Sequence, residues 1–225
     1  MLDSIFSADS ALMRVLGKAA DVIVLNLIFV ATSLPVVTLG ASVTALHGTA
    51  MRIVRGRSES VTGDYLRAFR ENVRRGSQLL LVLASLAGVL AAWYVVVTTF
   101  VAGVAQLVLL VIWLVLVVQL ALTGLFAFPY LATFDDVTSR VLRNARLMAW
   151  RHPLTALAAM ALTSLPVVVT VFYPRVAVYG LLWFAFGFAA VAVLTGILFV
   201  RVFDTYIPAP RSDLVTKDGT ARALS

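Results

Sequence analysis

A chain of 225 residues that is 61% hydrophobic and only 13% charged cannot face water on all sides, because soluble domains are about a quarter charged. The net charge of +7 would point to nucleic acid in a soluble protein, but here the arginines flank apolar runs, so no nucleic-acid partner is expected. With no cysteine and only two well-separated histidines, His47 and His152, the chain offers no disulfide, thiolate or metal centre, and no cofactor is expected.

From the N-terminus, Leu2, Ile5, Phe6, Leu12, Met13 and Leu16 recur at near-helical spacing, with Asp3, Asp9 and Arg14 between them. Residues 2–16 therefore predict a short amphipathic helix at the membrane interface. No cleavable leader is expected, because Asp3 and Asp9 stand where a basic region would be. A first span is expected at about 19–36, with Pro35 breaking it near its end. Residues 37–54 are rich in Gly, Ala, Ser and Thr. They read either as a short second span, about 38–54, or as a continuation of the first after a break.

No Asp, Glu, Lys or Arg occurs between Arg75 and Asp135. Two spans fit that gap, about 77–99 and 105–128, turning at Thr98–Gly103, with Pro129 ending the second. A charged segment from Asp135 to His152 follows, and Pro153 opens a span at about 153–172. Pro174 and Arg175 make a short loop before a last span at about 177–200. Residues 1–204 thus read as one all-α transmembrane bundle, and 205–225 as a flexible cytoplasmic tail.

Counting basic residues by loop sets the orientation. With six spans, all the Lys and Arg except Arg175 fall on one side; with five, Arg14 and Lys18 join it on the other. Six spans with both termini cytoplasmic fit the positive-inside rule better, and five remain the alternative. The string Thr32-Ser33-Leu34-Pro35-Val36-Val37 recurs at 163–168, and Arg-Val-Leu precedes each copy, at 14–16 and 140–142. This is either an internal duplication of the kind found in transporters or a chance recurrence of apolar strings. Pro35 and Pro166 occupy the same place in the two copies, and each is expected to break its helix.

Two cytoplasmic segments could carry function. From Asp64 to Arg75, Arg67, Arg70 and Arg74 share one helix face beside Leu66, Phe69 and Val73, with Thr62 placed to cap the start. From Asp136 to Trp150, Arg140, Arg143 and Arg146 cluster beside Val141, Leu142 and Leu147. These faces can dock an acidic partner surface, bind anionic lipid headgroups, or serve orientation alone. Inside the spans, Asn26, His47, Gln106, Gln119 and Thr123 can line a path or bond a neighbouring helix. Ala84/Gly88 and Ala192/Gly196 are small-residue pairs suited to close helix packing. No phosphate-binding glycine loop, paired carboxylates or nucleophile–base set is present, so no enzyme activity is expected.

Asn26, then Ser33-Leu34-Pro35-Val36-Val37-Thr38-Leu39-Gly40-Ala41, then Asp64-Tyr65-Leu66-Arg67-Ala68-Phe69-Arg70-Glu71-Asn72 resemble the YesL-like family of bacterial membrane proteins. That family shows a "Leu-Pro-x-x-Thr-x-Gly-Ala" stretch followed by a "Phe-x-x-Ala-Phe-Lys-x-Asn" helix. Leu66 here replaces an aromatic and Arg70 a lysine. The resemblance covers about residues 12–75 and implies an accessory component of sugar uptake, alongside carbohydrate ABC importers. It carries over no catalytic residue. No Glu-Ala-Ala-x-x-x-Gly coupling segment is present, so the chain is not expected to be the permease itself. The expected role is a non-catalytic accessory or regulatory subunit of such an importer in the bacterial cytoplasmic membrane. The alternative is a small-molecule transporter or channel acting alone or as a homo-oligomer.

Overall fold

The computed structural model describes residues 11–172 and 183–206, and among them there is no strand. Helix α1 (Ala11–Ser33) is followed by a 3-10 turn (Val36–Thr38) and α2 (Leu39–Val54). Then come α3 (Val61–Phe100), α4 (Gly103–Thr133), α5 (Thr138–Arg151) and α6 (Pro153–Phe172). A π-helical turn (Trp183–Gly187) leads into α7 (Phe188–Phe203). Most of the expected N-terminal amphipathic helix, the Pro174–Arg175 loop and most of the tail lie outside the described residues.

Local chemistry fixes the helix ends. Ser60, not Thr62, caps α3: its Oγ accepts from the Gly63 N–H at 3.3 Å. Gly103 takes a φ of 69°, in the left-handed region, which lets α4 start three residues after α3 ends. Pro129 does not end α4, which continues to Thr133. Phe126, Ala127, Pro129, Tyr130 and Leu131 are all buried there, so packing holds the turn that proline would otherwise open. Pro166 likewise sits within α6, and the break expected there is corrected to a helix that runs through it. Pro35 is different. It stands between α1 and the 3-10 turn, and the Thr38 and Ser42 hydroxyls donate to the Thr32 carbonyl at 2.8 and 2.9 Å. The carbonyl freed at the end of α1 is thereby satisfied from the next helix.

Four described helical stretches are long and apolar enough to cross a membrane: Leu16–Ser33, Val61–Phe100, Gly103–Thr133 and Trp183–Phe203. A fifth is reached if α5 and α6 count as one bent pair, their axes meeting at 104°. Helix α2 accounts for the gap to the expected six. Its 16 residues extend about 24 Å, less than the ~30 Å hydrocarbon layer. Helix α3 has the opposite disproportion. Its 40 residues extend about 60 Å, so the basic stretch 61–76 stands out beyond the apolar one by about 24 Å.

Burial is concentrated at the charged end of the bundle. One cluster joins Met51, Leu79, Phe126, Tyr130, Val141, Met148, Phe199 and Phe203; a second joins Leu25, Phe29, Ala45, Ala50, Val61, Tyr65 and Ala189. Phe199 contacts Phe126 edge-on and stacks on Phe203, with ring centroids 5.0 and 5.8 Å apart. Away from that end the α3–α4 hairpin is nearly bare. Only 6% of the most apolar window of α4 is buried, and Leu107, Val111, Leu114 and Val115 are exposed. In water such a surface would aggregate; surrounded by lipid it is at rest. The fold is that of an all-α membrane protein.

Candidate functional site

Three elements meet at the charged end around a cleft of about 410 Å³. The end of α2 supplies Thr49, Arg52 and Arg55, and the following loop supplies Arg57. Helix α3 supplies Asp64, Arg67, Glu71 and Asn72, and α4 supplies Thr133. Arg52 pairs with Asp64 at 2.7 Å, and Asp64 also accepts from the Ser58 hydroxyl at 2.9 Å. Arg55 pairs with Asp204 at 2.6 Å, Arg75 with Asp135, and Arg140 with Asp136 at 3.7 Å. These pairs are partly solvated, so their worth is closer to register than to stability. Their consequence is electrostatic, because four of the available carboxylates are spent. Arg57, Arg67, Arg70, Arg74, Arg143 and Arg146 have no ion-pair partner among the described residues. The Thr49 hydroxyl is buried at the cleft and lacks a hydrogen-bond partner among the described residues.

The two arginine rows are mounted differently. Arg67, Arg70 and Arg74 are exposed on the projecting half of α3, while Leu66 and Phe69 pack inward against the cluster around Tyr65. Phe69 stacks on Tyr65 with ring centroids 6.3 Å apart. Arg140, Arg143 and Arg146 are exposed on α5, whose Val141, Ala145, Met148 and Ala149 are buried. Asn144 donates to the Tyr130 hydroxyl, which donates to Asp136, both at 2.8 Å. The Trp150 indole donates to the Gln119 carbonyl oxygen at 2.8 Å. Helix α5 is therefore tied along α4 at both ends.

The polar residues of the spans are not gathered into one path. Asn26 is fully buried, and among the described residues it bonds only backbone: its amide donates to the Trp183 and Phe184 carbonyls at 3.0 and 2.7 Å. Its own oxygen accepts from the Ala189 N–H at 2.9 Å. It clips α1 to the irregular turn before α7, where backbone groups lose their regular partners. Gln119 donates to Thr123 at 3.2 Å and holds Trp150. Gln106 lies at the far end of α4, in its first turns. His47 faces a separate cavity of about 520 Å³ between α1, α2, α4, α6 and α7, lined mostly by apolar groups such as Phe29, Leu46, Phe128 and Val167. Its Nδ1 is buried without a hydrogen-bond partner among the described residues. No group of three or more His, Asp or Glu among the described residues is placed to hold a metal ion.

The cleft itself escaped the sequence reading, although Arg52 and Arg55, three apart at a helix end, were a signal for it. Of the two small-residue pairs, Ala192/Gly196 packs, with Gly196 facing Met51, while a Cβ on Gly88 would meet nothing within 4 Å. The tightest glycine contact, Gly40 against Gly76, joins residues from different helices and makes no pattern along the chain.

Fold and charge distribution together define a multi-helix membrane protein with its packed core and the arginines of α2, α3 and α5 at one end. Residues 22–95 match the family described as "Protein of unknown function, DUF624". The YesL-like proteins belong to that family, so the resemblance read from Asn26 through Asn72 holds. No curated protein and no solved structure matches the chain.

Proposed function

We propose that the protein is a non-catalytic accessory or regulatory subunit of the bacterial cytoplasmic membrane that docks a carbohydrate ABC importer through its arginine-bearing end. The supporting observation is the row Arg67, Arg70 and Arg74. It is exposed, has no ion-pair partner among the described residues, and stands on a helix that projects about 24 Å past the apolar stretch. Orientation alone needs positive charge near the membrane, not a projecting row of it. The importer as partner comes from the YesL-like resemblance. In this reading the arginine-bearing end, Arg52 and Arg55 included, faces the cytoplasm, and α2, whose Val37 and Gly40 lie beside Ser77 and Gly76 at the inner end of the apolar stretch of α3, does not cross. Photo-crosslinking from position 70 in cells, followed by mass spectrometry, tests it. Importer permease or ATPase subunits are expected in the adducts; adducts to lipid and to this chain alone would end the reading.

A stand-alone or homo-oligomeric transporter or channel is the second reading, favoured by the cavity at His47. The lining of that cavity suits an apolar molecule better than a sugar, whose hydroxyls would be left without partners. Uptake of a labelled small molecule, apolar solute or oligosaccharide, by proteoliposomes holding only this chain would reverse the order of the two readings.

A further inference from the structure

A groove of about 580 Å³ runs between α3 and α4, and its contents are chemically divided. Leu83, Leu86, Val89 and Leu116 line it, and Arg143 and Arg146 of α5 stand beside them. The carboxylates at the start of α5 are already engaged: Asp135 with Arg75 and Asp136 with Arg140. Both groove arginines are exposed, with no ion-pair partner among the described residues. A bend of 104° separates α5 from α6. If α6 crosses the membrane, α5 lies close to the membrane plane, and its guanidinium groups sit at headgroup level with the apolar groove running toward the lipid interior. The Trp150–Gln119 bond holds α5 in that position against α4.

We propose that this groove is a site for one anionic diacyl phospholipid, with its phosphate on Arg143 and Arg146 and an acyl chain along Leu83, Leu86, Val89 and Leu116. The charge pattern selects this occupant. An apolar helix from another copy would fill the groove and leave both arginines without counter-charge. A soluble phosphate would pair the arginines and leave the groove open. A guanidinium offers a phosphodiester two parallel donors, so arginine retains such a headgroup better than a lysine does. The site does not depend on the importer reading.

The test is native mass spectrometry of the protein released from bilayers of equal phosphatidylglycerol and phosphatidylcholine. About one phosphatidylglycerol per chain is expected to survive, at least tenfold over phosphatidylcholine. R143Q/R146Q should bring that ratio close to one, and R143K/R146K should keep part of it. Val89→Trp, which fills the groove and leaves the charges intact, should cut retention of both lipids several-fold. K18Q/R201Q, which removes two charges elsewhere, should retain the wild-type ratio. Equal retention of the two lipids by the wild-type protein overturns the site. So does an unchanged preference in R143Q/R146Q, or the same loss of preference in K18Q/R201Q, which would reduce the effect to overall charge.

Discussion

Gly40 of α2 and Gly76 of α3 touch backbone to backbone. A Cβ on Gly40 would overlap the Gly76 carbonyl, and one on Gly76 would stand 2.8 Å from the Ala41 nitrogen. The Ser77 hydroxyl donates to the Val37 carbonyl at 2.6 Å beside this contact. Neither helix can yield to an added methyl by turning a side chain, because the obstructing atoms are main chain. Gly40→Ala and Gly76→Ala are each expected to destabilise the protein by about 1–3 kcal/mol, the usual cost of overpacking. Gly88→Ala, which meets nothing within 4 Å, should be neutral. Thermal unfolding in detergent compares them, and equal melting temperatures for all three would show that the approach of α2 to α3 is not tight.

Asn26 should prove structural. Asn26→Leu leaves the Ala189 N–H and the Trp183 and Phe184 carbonyls without their side-chain partner. Unpaired buried polar groups cost about 1–3 kcal/mol each before any relaxation. Marked loss of stability is expected for Asn26→Leu and little for Gln106→Leu. The same melting assay reads both, and a fully stable Asn26→Leu would mean that the turn before α7 finds other partners.

Hydropathy and charge gaps make the long helices legible: the expected spans at 77–99, 105–128 and 153–172 lie within α3, α4 and α6. The arginine rows are legible for the same reason, since a helix of known phase determines which residues share a face. What cannot be read along the chain is what each element meets. The repeated hexapeptide makes the point. Thr32 and Thr163 both donate to the carbonyl four residues back, yet the first copy opens into a turn and the second stays helical. After Pro35 come Thr38 and Ser42, whose hydroxyls take up the freed carbonyl; at the same offsets from Pro166 stand Val169 and Tyr173. The cleft at Arg52, Arg55 and Arg57 was hidden likewise, because three separate elements build it.

R67Q/R70Q/R74Q separates docking from orientation. Arg52, Arg55, Arg57 and Arg75 still hold that segment inside, so insertion and melting temperature should be unchanged. Recovery of importer subunits in mild detergent is expected to fall about tenfold or more, since exposed charge rows govern encounter and specificity. R67K/R70K/R74K should recover only part of it, because lysine keeps the charge but not the planar fork. Full recovery from the Gln variant would return this row to the positive-inside rule.

The crossing of α2 has its own test. The chain lacks cysteine, so a single one introduced at Val37 reports its side of the membrane without background. Val37 is 77% exposed, and its carbonyl accepts from Ser77 at the arginine side of the apolar stretch of α3, so an impermeant thiol reagent should label it only after permeabilisation. Labelling in intact cells would put the 3-10 turn outside and raise the count to six.

An uninterrupted α3 also has a mechanical consequence. It meets α2 backbone to backbone at Gly76, and its arginine half is tied to α2 again at Tyr65 and through the Arg52–Asp64 pair. The two therefore move as one body. Because no break divides the 40 residues of α3, a tilt of that body imposed through Arg67 and Arg70 would be carried about 27 Å beyond Gly76 to Tyr94, which packs on Trp113 with ring centroids 5.0 Å apart.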